Sequence, residues 1–308
     1  MPHRILVIKL GALGDFVQAM GPFAAIRRHH PQAHVTLLTS KPYAALAEAS
    51  PYFDDVWTDT RPKPWQLGRL LNLRAKLRRG RFDIVYDLQT SDRSAFYFRL
   101  AGRPNWSGIA RGCSHPHANP RRDDMHTIER QAEQLAMAGI AGTPLPDLSW
   151  ANADPGPLGL PQRYAVLVPG GAAHRPAKRW PAENYGTLAG ILAASGLNPV
   201  LLGTQAEARE IGIVQAACPQ ALSLMGRTSF LDIAALGRNA ALAVGNDTGP
   251  MHLLAAAGAP CLILFSAESD PALCAPRGRV TVLRRPDLAQ LPLGDVAQAT
   301  EHLVAALT

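Results

Sequence analysis

Residues 241 to 265 read ALAVGNDTGPMHLLAAAGAPCLILF, and this stretch decides the fold class. An apolar run, Ala241 to Val244, breaks at Gly245-Asn246-Asp247-Thr248-Gly249. A helical segment then follows from Pro250 to Ala257, and a second apolar run spans Cys261 to Phe265. Strand, glycine-containing turn, helix and strand in that order form a βαβ unit, which requires parallel strands joined by a right-handed crossover. Pro250 is expected at the first helical position, where its missing N–H costs nothing. The free amides of the first turn and the helix dipole make an anion site suited to a diphosphate. Asp247 repels phosphate, so it either holds the loop by accepting backbone N–H bonds or binds sugar hydroxyls. His252 reads as a satisfied core histidine or as a hydrogen-bond donor to a phosphate oxygen.

Working outward, the same alternation fills the chain. Strands are expected at Ile5 to Leu10, His34 to Thr39, Asp83 to Leu88, Tyr164 to Val168 and Pro199 to Leu202. Helices are expected near Phe16 to His30, Pro42 to Ala49, Arg93 to Ala101, Thr127 to Ala138, Ala182 to Ala194, Ala206 to Ala217 and Phe230 to Arg238. Residues 144 to 162 are dense in Pro and Gly and read as an interdomain linker. At 308 residues the chain exceeds one ordinary core. The expected architecture is α/β: two Rossmann-like, doubly wound domains facing a cleft, residues 1–150 and 163–285, with ligands at the carboxyl ends of the strands.

Three further stretches carry chemistry. In RILVIKLGALGDFVQAMG, a buried strand runs into Gly11, Gly14 and Asp15 and then a helix, so Asp15 reads as a helix N-cap or as a general base. Gly21-Pro22 should kink this helix or mark its true start. The spacing does not fit GxGxxG. In VPGGAAHRPAKRWPAENY, the basic run His174, Arg175, Lys178 and Arg179 follows a strand's carboxyl end. It is either a solvated face or, at Lys178, a neutraliser of a leaving diphosphate. In NPVLLGTQAEARE, Glu207 is an exposed helix glutamate or a pair of acceptors for a ribose diol.

Absences narrow the field. The chain has no DxD pair, no Walker lysine motif and no GxSxG. Its four cysteines form no CxxC and read as free thiols; Cys113-x-His115-x-His117 lacks a fourth ligand of metal-site spacing. No apolar run reaches the roughly 18 residues of a membrane span. The N-terminus suits a first strand better than a signal peptide, so cytoplasmic residence is expected. The net charge of +7 lies wholly in the first half: residues 1–150 hold 20 Lys or Arg against 13 Asp or Glu, and residues 151–308 hold 11 of each. Arg61 to Arg81 alone carries eight basic residues and no acidic one, with Leu67, Leu70, Leu73 and Leu77 at helical spacing.

Taken together, KLGALGDFVQAMGPFAAIRR, YDLQTSDRSAFYFRLAG, KRWP, LLGTQAEARE, LMGRTSFLDIAAL and GNDTGPMHLLAAAGAP resemble glycosyltransferase family nine, the ADP-heptose lipopolysaccharide heptosyltransferases and their relatives. The resemblance implies the GT-B fold, acceptor on the first domain, sugar nucleotide on the second, and a C-terminal helix, residues 286–308, packing back on the first. It implies an inverting transfer, with a heptose from ADP-heptose as the expected donor sugar and a lipopolysaccharide core or related glycan as acceptor. By match of motifs, Asp15 takes the catalytic base position and Lys178 the lysine at the donor phosphates. Glu207 takes the ribose-binding position, Met225 and Gly226 the nucleobase pocket, and Asp247, Thr248, Gly249 and His252 the donor loop. Gly14, Gln89 and Arg93 fall on the acceptor side. No cofactor or obligatory metal is expected, and no nucleic acid. The expected partners are a nucleotide diphosphate sugar and an anionic glycolipid, met at the cytoplasmic face of the inner membrane. Three other readings keep these features: a relative using another sugar nucleotide, a sugar-nucleotide epimerase or hydrolase of the same fold, and a non-catalytic nucleotide-sugar-binding protein.

Overall fold

The computed structural model describes residues 3 to 171 and 174 to 305. The chain divides into two compact units, Met1–Pro146 and Asp147–Thr308. In the first, β1 (Arg4–Ile8), α1 (Leu13–Gln18), α2 (Met20–His29), β2 (His34–Ser40), α3 (Ala44–Glu48) and β3 (Asp55–Asp59) are followed by α4 (Leu67–Arg79), β4 (Ile84–Asp87), α5 (Asp92–Ala101), β5 (Trp106–Gly108), β6 (His115–Pro116) and α6 (Thr127–Met137). In the second come β7 (Tyr164–Val168), α7 (Ala182–Ala194), β8 (Asn198–Leu201), α8 (Ala208–Ala217), β9 (Leu222–Ser223) and α9 (Phe230–Asn239). They are followed by β10 (Leu242–Asn246), α10 (Gly249–Ala256), β11 (Cys261–Phe265), α11 (Pro271–Cys274), β12 (Val280–Arg284) and α12 (Leu293–Ala305).

Each unit is built on one six-stranded parallel sheet, ordered β3-β2-β1-β4-β5-β6 and β12-β11-β10-β7-β8-β9. The central strands are apolar along their whole length because helices cover both faces: Ile5 to Ile8, Tyr164 to Val168 and Cys261 to Phe265 are all buried. In the first sheet β1 pairs with both β2 and β4, and in the second β7 pairs with both β10 and β8. Chain order therefore reverses between β1 and β4 and between β7 and β10, and the loops after these strands diverge. That is where a doubly wound sheet opens a binding site.

The alternation anticipated from sequence is present, with differences at the edges. β3, β5, β6, β9 and β12 were not expected. All five have two, three or five residues and lie at or next to a sheet edge, and β12 carries an exposed Arg284 at its end, so hydrophobic patterning gives them little signal. The single helix expected over Phe16 to His30 is two, broken at Ala19, with Pro22 in the first turn of α2. The basic segment is helical only over Leu67–Arg79.

The C-terminal helix falls within the second unit. α12 buries Val296 and Thr300, and Val296 joins the core that α7 supplies with Leu188, Ala189 and Leu192. Leu293, Val296, Ala299 and Leu303 recur at helical spacing, so α12 presents an apolar stripe that α7 can cover. Residues 306–308 of that segment lie outside the described residues. The proposed linker is docked as well: Leu148 and Ala151 are buried, Leu148 N donates to Ala256 O at 3.3 Å, and Arg238 donates to Ala151 O at 2.6 Å.

At its other end the linker explains Gly21. A Cβ on Gly21 would stand 1.9 Å from Pro144 O, a backbone atom that cannot swing away. Gly21→Ala is expected to lower stability by about 1–3 kcal/mol through overpacking, read as a lower urea midpoint in the first unfolding transition.

Candidate functional site

In the first unit the chain leaves β1 through Lys9 and Leu10 and turns at Gly11, whose φ of +117° and contact with the Tyr43 ring, 2.5 Å from where a Cβ would lie, admit no side chain. Asp15 follows in the first turn of α1. The N-cap is Ala12, so Asp15 is not the cap that one reading of the sequence made it. Gly14 sits beside it, half-buried.

Below Asp15 lies a polar cavity of about 50 Å³ whose walls include Lys9, Gln89, Thr90, Arg130 and Gln134. Lys9 is buried, and its ammonium donates to Leu88 O at 3.1 Å. Burial pushes its pKa down, and the charge of Asp15 opposes that shift. Arg130 is likewise lowered chiefly by burial, with Asp15 among the charges opposing it. Asp15 is thus held in a cationic field. Gln89 fastens the two loops together: its Oε1 accepts from Leu10 N at 2.7 Å, and its own N donates to Asp87 Oδ1 at 3.1 Å. Arg93 lies further out, its Nη1 3.4 Å from Pro62 O and from the Tyr97 hydroxyl, which donates to Asp59 at 2.7 Å.

In the second unit the corresponding position is tied by Asn246, the fully buried last residue of β10. Its Oδ1 accepts from Trp180 N and the Tyr185 hydroxyl, each at 3.1 Å, and its Nδ2 donates to Pro169 O at 3.2 Å and Gly170 O at 2.9 Å. One side chain thereby fixes the loop after β7 against the loop after β10. Lys178, on a short 3-10 turn, donates to Asp247 Oδ2 at 2.5 Å and to Ser269 Oγ at 2.8 Å. His252 Nε2 stands 4.0 Å from Asp247 Oδ1. α10 begins at Gly249, so Pro250 is its second residue rather than its first. Thr248 occupies the N-cap in extended conformation, yet its hydroxyl does not cap the helix and is buried without a hydrogen-bond partner.

Glu207 reaches the same neighbourhood from β8. Its Oε2 closes a capping box, accepting from Thr204 N at 2.8 Å and Thr204 Oγ1 at 2.7 Å. The side chain lies against Gly170, where a Cβ would come within 2.5 Å of its Cγ. Gly226 N donates to Gly203 O at 2.9 Å, placing Gly226 and Met225 beside that loop, with Met225 packed on the core. The basic run after β7 is divided: His174 and Arg175 are exposed, whereas besides Lys178, Arg179 is drawn inward, pairing with Glu210 at 2.9 Å and donating to Gly171 O. Among the described residues no group of three His, Cys, Asp or Glu side chains is placed to hold a metal. His117 is instead paired with Glu133 at 2.9 Å, and all four cysteines are free.

The expected site residues therefore gather at two places, Gly14, Asp15 and Gln89 at the switch point of the first sheet and the donor-loop residues with Lys178 and Glu207 at that of the second. Residues 70–292 match the sequence model of glycosyltransferase family 9 (heptosyltransferase). The chain belongs to that family, and it is a glycosyltransferase. It is 26% identical over 307 residues to lipopolysaccharide heptosyltransferase 1 of Pseudomonas aeruginosa, covering 91% of this chain and 82% of that protein. Among solved structures, a glycosyl transferase family 9 protein from Veillonella parvula superposes with a TM-score of 0.85 at 21% identity, covering 99% and 97% of the two chains. E. coli heptosyltransferase WaaC with ADP-2-deoxy-2-fluoro heptose gives 0.77 at 23% identity, covering 97% and 99%. The fold of this glycosyltransferase is accordingly GT-B.

Sequence reading passed over Lys9, Asp87, Arg130, Asn246 and Ser269. A signal existed for two of them: Lys9 and Asn246 are polar residues within or ending otherwise apolar strands. Asp87, at the end of β4, is fully buried. Its Oδ1 accepts from Gln89 N and Thr90 N, while Oδ2 has no hydrogen-bond partner. Burial raises its pKa from 3.8 to about 6 against the hydrogen bonds and the charge of Lys9. The fold therefore favours the neutral carboxyl, and that contribution is complete below pH 3.8 and lost as pH rises through about 6. Relative to Asp87→Asn, the wild type should lose about 2 kcal/mol of stability between pH 4 and pH 7, measured by urea unfolding across that range.

Proposed function

We propose that this glycosyltransferase moves a heptose from ADP-heptose to a lipopolysaccharide core acceptor with inversion at the anomeric carbon. The observation that carries the proposal is the cluster of Lys178, Asp247 and Ser269 beside the start of α10, at the switch point of the second sheet. The heptose and the lipopolysaccharide acceptor are taken from the names of its relatives.

In this reading the acceptor hydroxyl gives its proton to the Asp15 carboxylate as its oxygen attacks the anomeric carbon. The bond from that carbon to the diphosphate breaks, and ADP leaves with the bonding pair. Lys178 and the amides at the start of α10 meet the charge that grows on the leaving group. The Lys178 ammonium is paired with Asp247. The diphosphate takes over the lysine and the sugar hydroxyls take over Asp247, so the ion pair exchanges partners instead of being broken without replacement. Thr248 and His252 add hydrogen-bond donors to the phosphates. Glu207 keeps one oxygen in its capping box and offers Oε1 to the ribose, and Met225 and Gly226 line the base. On the acceptor side, Lys9 and Arg130 line the cavity beside Asp15, and Gln89 and Arg93 bind the glycan. The cationic first unit meets an anionic glycolipid at the cytoplasmic face of the inner membrane.

Asp15→Ala should cut transfer about 100-fold or more with donor affinity nearly unchanged. Lys178→Ala should weaken donor binding and turnover together, both read by calorimetry and steady-state kinetics. Retention of more than about a tenth of the activity in the first variant contradicts general-base catalysis by Asp15.

Lysine and helix terminus supply the phosphate neutralisation that a metal gives elsewhere, so transfer should persist in EDTA. Complete loss in chelator with recovery on adding magnesium or manganese would place a metal at the diphosphate.

A further inference from the structure

The three most exposed large apolar side chains among the described residues are Trp65, Leu67 and Leu71, at 72%, 67% and 60% exposure. All three lie within seven residues of one another, at the start of α4 and just before it. α4 already has a buried side, on which Leu73 and Leu77 enter the core of the first unit. Leu67 and Leu71, four residues apart, share a different face. That face continues through Arg74 and Arg78, both exposed. The helix thus presents to solvent an apolar tip followed by a cationic stripe, within a segment of eight basic residues and no acidic one. Lys63 places its ammonium 5.1 Å from the centre of the Trp65 ring, keeping a cation at the edge of the apolar tip.

We propose that Trp65, Leu67 and Leu71 insert into the interfacial layer of an anionic bilayer, with Lys63, Arg74 and Arg78 meeting lipid phosphates. Tryptophan and leucine beside lysine and arginine, on a helix whose adjoining face is anchored in a folded core, is the composition of a helix lying in a membrane interface. The uniform positive charge selects an anionic surface over a neutral one. This deepens the acceptor reading given above: charge draws the first unit to the surface, and the apolar tip holds it there. The two contributions separate physically, since salt screens exposed charges beyond ~8 Å at physiological ionic strength and leaves apolar insertion in place.

The test uses the full-length protein without donor or acceptor, so its outcome stands whether or not heptose transfer is the reaction. Vesicles of phosphatidylcholine mixed with phosphatidylglycerol, some carrying brominated acyl chains, are compared with phosphatidylcholine alone by sedimentation and by tryptophan fluorescence. The wild type should bind the anionic vesicles, keep part of that binding in high salt, and lose fluorescence to the brominated chains. Trp65→Phe should keep binding and lose the quenching. The triple variant W65S/L67S/L71S, with its fold checked by circular dichroism, should partition about tenfold less or weaker still. Binding that salt abolishes completely, wild-type fluorescence that bromine does not quench, equal partition of wild type and triple variant, or absence of vesicle binding would each overturn the proposal.

Discussion

Both sheets depend on how the chain satisfies backbone groups where it leaves two neighbouring parallel strands in opposite directions. Beyond the last ladder bond the loops separate, and their N–H and C=O groups have no strand to pair with while still partly buried. In the second unit Asn246, at the end of β10, solves this with one side chain, binding four groups of the loop and helix that follow β7. In the first, Gln89 and Asp87 divide the task, one bonding Leu10 N and the other the amides that follow β4. These amide and carboxyl groups set the positions of the loops, and the chemistry-bearing residues ride on those loops: Asp15 on one side, Lys178 and Asp247 on the other.

The electrostatics of the two units follow different rules. In the second unit almost every charge near the switch point has a partner within hydrogen-bond reach, Lys178 with Asp247 and Arg179 with Glu210. Such pairs make a site that is ordered in advance and can exchange one anion for another with little rearrangement. In the first unit cations outnumber acids along α4, and Lys9 and Arg130 both act on Asp15 while also meeting Asp87 and Asp123. An unbalanced basic surface attracts polyanions.

Most of the fold could be read from the amino acids because its central strands are continuous apolar runs followed by turn residues, the pattern that burial on both faces imposes. VPGGAAHRPAKRWP and GNDTGPMH could be located as loops at strand ends for the same reason. What escaped were short edge strands such as β6 and β9, too brief to carry a period, and residues whose importance comes from what lies beside them. Lys9 looked like an interruption of a strand, and only its position above Leu88 and beside Asp15 makes it part of a site. Ser269 sits in a loop without any pattern, and its contact with Lys178 spans ninety-one positions of sequence.

By itself the sequence determined the class of fold, the alternation of strand and helix, the loops that carry Asp15, Lys178, Glu207 and Asp247, and the family. Those properties follow from local periodicity, turn chemistry and short motifs, each written within a few dozen residues. Tertiary structure alone decided that Asn246 and Gln89 hold the loops in place, that Lys178 is paired with Asp247, that Asp87 is buried enough to resist ionisation, and that α12 lies on α7. It also decided which leucines of α4 are core and which face water. All of these depend on neighbours far apart in the chain, and burial, desolvation and pairing are properties of the space around a group rather than of its place in the sequence.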